Sequence, residues 1–156
     1  KDTVFGLASS GDYEGWKSES VGLMYGLMLE RTQFKKAQPK YSLVNAEIIP
    51  SASEAAQSNT TLAVGLQPVY YVTERLHIAL DVNHTLTTKV GPEAAKPNMT
   101  FVTPLVRYAS NKTALATPQF FTSVTYGVYE TKARLTASGT PSKTSITTQT
   151  GCEFWF

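Results

Sequence analysis

The amino-acid sequence predicts an all-β chain whose antiparallel strands run up and down to form a barrel wall, and three observations carry that expectation. Apolar residues recur at every second position through much of the chain, the period of a strand with one greasy face. β-Branched and aromatic residues are abundant, with Thr frequent and eight Tyr and seven Phe, as strands prefer. The polar connections between these segments alternate between longer and shorter, as they do when successive connections fall on opposite rims.

About eight segments follow this pattern, near residues 2–10, 20–33, 41–50, 60–72, 76–86, 99–109, 118–129 and 144–156. Each approximates the roughly 9–11 residues of a tilted strand crossing a bilayer. In the second, Val21, Leu23, Tyr25, Leu27 and Leu29 oppose Gly22, Met24, Gly26, Met28 and Glu30. In the fourth, Leu62, Val64, Leu66, Pro68, Tyr70 and Val72 form one greasy row. Thr73 to Arg75 reads as a short turn, after which Leu76, Ile78, Leu80 and Val82 continue on one side. Phe120, Val124, Tyr126 and Val128 repeat the pattern in the seventh. Gly11–Glu19, Ser51–Asn59, Thr87–Asn98 and Glu130–Lys143 read as longer loops, while Thr73–Arg75, Lys35–Lys40 and Ser110–Thr117 read as shorter turns. Pro68 and Pro104 fall inside strands, where each removes a ladder donor.

Composition narrows the class. The 156 residues fit one unit spanning 1–156, and 42% hydrophobic with 17% charged excludes a disordered chain. A net charge of +2 spread along the chain gives no nucleic-acid surface. The longest apolar run, Val21–Leu29, is far shorter than the roughly 18 residues of a membrane helix. The opening Lys1–Gly11 is neither a basic leader nor a long apolar run, so any export signal is expected to have been removed or to belong to a longer precursor. Cys152 has no cysteine partner and no metal-spaced neighbours, and reads as a small wall residue.

The last residues, Gly151-Cys152-Glu153-Phe154-Trp155-Phe156, place three aromatic rings where a chain normally frays. On the short-turn rim Phe154 and Phe156 would join Phe120, Tyr108, Tyr70 and Phe34 in an interfacial girdle. A soluble β-sandwich with the greasy rows as its core is the competing reading of the alternation.

Leu62–Asn83, Met99–Gly127 and the closing Gly151–Phe156 resemble the maltoporin and sucrose-porin family of outer-membrane sugar channels. The likeness covers Asn59–Phe156 well and Lys1–Pro50 more weakly, with Leu66-Gln67-Pro68 similar to a tripeptide of that family. It implies an antiparallel transmembrane barrel of about eighteen strands, of which this chain would be the C-terminal part, assembled as a homotrimer in the bacterial outer membrane. It also implies passive sugar and ion transport, with linear oligosaccharides sliding along aromatic rings. An independent eight-stranded barrel would instead be filled by its own side chains.

With Phe154 and Phe156 toward lipid, pleating sends Trp155 and Glu153 to the lumen. The resemblance places Trp155 on the sugar slide, where an indole face stacks on the apolar faces of sugar rings. Glu153, Gln119, Arg107, Asp81 and Gln67 share the inferred lumen face and offer partners for hydroxyls, or serve as solvated wall. Phe121 and Tyr71 lie on the same side and either supply further rings or pack against a loop plug. Family slide and arginine positions fall on Leu115 and Thr117, which interrupts the slide. Trp16 and Tyr13, in an outer loop, would catch sugar at the mouth or contact a neighbouring subunit.

Enzymatic chemistry finds little support. His77 and Asp81 share a face but stand roughly 13 Å apart along a strand, His84 points the other way, and no phosphate loop, nucleophile elbow or metal signature occurs. No cofactor is expected, and the four Asn-x-Thr triplets read as chance in a Thr-rich chain. The alternative function is a soluble or membrane-anchored small-ligand barrel, which requires the Leu62-Val64-Leu66 row to point inward. A barrel lipase would need Ser123 beside His77.

Overall fold

The computed structural model describes residues 3–16, 20–44, 47–87, 98–113, 118–133 and 142–154. Among the described residues seven strands follow one another: β1 (Thr3–Trp16), β2 (Val21–Val44), β3 (Glu47–Tyr71), β4 (Leu76–Thr87), β5 (Met99–Ala109), β6 (Gln119–Ala133) and β7 (Ser142–Glu153). All successive pairs are antiparallel, and spatial order equals chain order. β1 and β7 are the edges of one open sheet; with an odd number of strands, both run the same way.

Seven strands replace the expected eight because residues 41–50 do not form a strand of their own. Tyr41–Val44 ends β2 and pairs with Glu47–Pro50 of β3, so the expected connections Lys35–Lys40 and Ser51–Asn59 are themselves strand. This hairpin outreaches its neighbours: β1 begins opposite Gln33 and β4 ends opposite Thr61. Among the described residues no strand pairs with it on either flank, so no neighbouring ladder fixes its register and its polar run reads as turns. Gly11–Glu19 is a second correction. β1 continues to Trp16, which pairs with Val21, so this connection lies on the Thr73–Arg75 rim and Trp16 is not in a long outer loop.

Thr73–Arg75 does form the β3–β4 turn. The Thr73 hydroxyl accepts from the amides of Arg75 (3.2 Å) and Leu76 (2.9 Å), the local side-chain capping that favours Thr in turns. Ala109 N donates to Arg75 O at 2.8 Å, tying the β4 and β5 ends together at the same rim.

β3 and β6 approach one another, although strands three places apart in a flat sheet lie about 14 Å apart; the sheet is curled. Its two faces differ sharply. Val69, Tyr71, His77, Ala79, Arg107 and Ser123 are buried and share the concave face by register, as do the buried Asn59, Thr87 and Ala109. The convex face carries the exposed large hydrophobics, among them Leu66 (48%), Ile78 (49%) and Phe120 (58%), with Val4 and Met28 the exceptions. The greasy Leu62-Val64-Leu66 row is therefore on the outside of the curl.

The two prolines sit at one height. Leu80 pairs with Pro104, and the β3–β4 register sets Pro68 opposite Leu80. Each ladder is interrupted on one side only: Pro68 pairs with Leu23 of β2 but not with β4, and Pro104 pairs with β4 but not with β6. Register is unchanged across both gaps, so the missing amide costs pairing without a bulge. The Thr103 and Thr125 hydroxyls, 2.9 Å apart, bridge the β5–β6 gap.

Candidate functional site

A row of concave-face residues crosses the sheet near the short-turn rim. His77 of β4 stands between Tyr71 of β3 and Arg107 of β5, and Arg107 is opposite Phe121 of β6, itself opposite Gly151 of β7. Period-two pleating puts all of them on one side. Arg107 Nε donates to His77 Nδ1 at 3.0 Å, and Arg107 Nη2 donates to Thr113 O at 3.0 Å, drawing the β5–β6 connection over the row. Tyr71 meets His77 edge to face with centroids 4.8 Å apart, and its hydroxyl donates to Glu14 of β1. That contact passes over β2 at Gly22, where a Cβ would lie 2.5 Å from the phenol oxygen.

Arg107 and His77 are 4% and 0% exposed. A guanidinium so enclosed must spend its donors on fixed acceptors, and the two described here hold it against the wall with its charge toward the concave side. Beside it Gln119 of β6 donates to the Glu153 carboxylate of β7. Arg107, Gln119, Phe121, Glu153 and Asp81 line one cleft of about 370 Å³. Met24, Gln67 and Asp81 are shared with a second cavity of about 420 Å³, walled by the small residues Ala8, Ser10, Gly26, Ala63 and Gly65.

The structure thus gathers Asp81, Arg107, Gln119, Phe121 and Glu153 in one cleft and sets Tyr71 at its side through His77. Gln67 is in the same cleft. Trp155, Phe156, Leu115 and Thr117 lie outside the described residues. Tyr70, Tyr108, Phe120 and Phe154 are exposed on the convex side of the short-turn rim, whereas Phe34 follows Gln33, the partner of Thr3, at the opposite rim. Tyr13 is on the convex face of β1, 59% exposed, rather than in an outer loop.

Two participants escape a reading of the sequence. Glu14 falls in a segment that reads as loop, although its even position matches the concave parity of β1. His77 reads as an isolated catalytic candidate, because its partner Arg107 is fixed by inter-strand register rather than spacing. Its Nδ1 engages the guanidinium, and Ser123 is opposite Leu105 rather than His77. Among the described residues no group of three His, Cys, Asp or Glu is placed to hold a metal ion, and no helix is long and apolar enough to cross a membrane. Comparison with known protein families, curated proteins and solved structures finds no match to this chain.

Proposed function

We propose that this chain is part of the wall of an outer-membrane channel for passive, selective diffusion of sugars and oligosaccharides, the C-terminal section of a larger barrel that assembles as a homotrimer. One observation carries the reading: the curled sheet turns most of its charged side chains inward and most of its exposed large apolar ones outward. A soluble barrel has the reverse sidedness. On β4 the outward row from Leu76 to Leu86 has no acidic or basic side chain apart from His84, whose Nδ1 lies 2.7 Å from the Thr100 hydroxyl. Those eleven residues extend about 34 Å, or about 25 Å of height at the usual tilt, the thickness of the apolar band on such barrels.

The cleft residues suit a sugar. Asp81, Arg107, Gln119 and Glu153 are planar donors and acceptors that pair with hydroxyls, and Phe121 offers an apolar surface beside them. Trp155 extends this set at the rim through the resemblance. Weak, repeated contacts of this kind let a solute enter and leave.

The test is conductance of the native full-length protein in planar bilayers, titrated with maltose- and sucrose-type oligosaccharides, alongside its intact mass. Stepwise current reversibly blocked by sugar is expected. Current indifferent to every sugar would leave a general pore, and absence of current would remove the channel.

A further inference from the structure

We propose that Gly151 sets the bore of the channel by seating the Phe121 ring against the wall. The inference rests on the channel reading above and names a residue with no polar or aromatic group of its own. Phe121 and Gly151 are directly opposed on β6 and β7. A Cβ placed on Gly151 would lie 3.0, 3.2 and 3.8 Å from three atoms at the far end of the Phe121 ring. The ring therefore reaches across the inter-strand gap and rests over the bare backbone of its neighbour, the arrangement by which aromatics cover strand glycines.

The same device recurs along the concave face. Phe101 lies over Gly127, with 2.9 Å to an added Cβ and the Ser145 hydroxyl at 2.5 Å on the other side, and the Tyr71 hydroxyl lies 2.5 Å from an added Cβ on Gly22. Gly26, also on the concave wall, has nothing within 4 Å of an added Cβ. Glycine is thus not simply scattered through these strands; at three places on the concave face it is the berth of a ring from the adjacent strand.

Phe121 has one free direction if its berth is filled. The sheet is beneath it, Gln119 and Ser123 flank it on β6, and Arg107 stands opposite on β5. A side chain at position 151 displaces the ring tip away from the wall, into the cleft of about 370 Å³ that it lines. The berth lets a large aromatic present its surface to the solute without narrowing the passage.

The experiment is a double-mutant cycle on the native full-length protein, using Gly151→Val, Phe121→Ala and the two combined, with single-channel conductance as the readout. Valine suits a strand, and Gly151→Ala, which displaces the ring by less, replaces it if assembly fails. Gly151→Val is expected to lower conductance by about twofold, because conduction follows the narrowest section. Adding it to Phe121→Ala is expected to change nothing, since no ring remains to be displaced. An equal fall in both backgrounds would mean that the added bulk itself obstructs, and an unchanged conductance in Gly151→Val would mean that the ring does not move; either overturns the berth. Failure of the wild type to conduct sinks the channel reading instead, so the two failures are distinct.

Discussion

Tyr71 reaches across β2 to Glu14 because position 22 has no side chain in the way. A hydrogen bond to a carboxylate is worth about 1.5–3 kcal/mol, so Tyr71→Phe is expected to destabilise the fold by that amount in urea titration. A loss below about 0.5 kcal/mol would show that the bridge contributes nothing. Leu80 tests the outer face. It is 41% exposed beside Pro104, and Leu80→Arg should cost about 2–4 kcal/mol when folding is measured in lipid vesicles, as charges do near the midplane of such barrels. If that face met water, the same change would cost within about 0.5 kcal/mol. At this scale much of the cleft is legible in the sequence, since parity alone assigns Tyr71, Asp81, Arg107, Gln119, Phe121 and Glu153 to one face. What parity cannot give is who meets whom: the Arg107–His77 contact needs the β4–β5 register, and Glu14 needs β1 to continue beyond Gly11.

Single strands explain the two prolines that local reading leaves unaccounted for. Pro68 and Pro104 flank β4 at one height, each leaving one ladder incomplete, and Thr103 and Thr125 bridge one of the gaps. Thr125→Val removes that bridge and should cost about 1 kcal/mol. It should also speed amide exchange at Val102 and Leu105, the residues paired on either side of the interruption. Unchanged exchange there would show that the hydroxyl pair does not support the ladder. Strand existence is legible wherever a sheet covers one face. It is lost in the β2–β3 hairpin, where the residues beyond Gln33 have no flanking strand among the described residues to impose a period, and the prolines and lysines of that stretch imitate turns.

Taken whole, the molecule separates its charges against its own net balance. The chain is +2 overall, yet the concave face carries Asp12, Glu14, Glu30, Asp81 and Glu153 against Arg107 and Lys143 among the described residues. An acidic lining raises the local concentration of cations. Reversal potentials in a salt gradient should therefore favour cations, with Asp81→Asn reducing the preference; anion preference would mean that the lining charge is set elsewhere. The shared heading of β1 and β7 bears on how this curtain can be drawn into a tube. Antiparallel neighbours must alternate in direction, so a seam joining these two margins without a parallel pair requires an odd number of intervening staves. Identical panels of the seven described strands, placed upright side by side, meet with like-pointing margins every time, so those strands alone cannot weave an all-antiparallel cylinder.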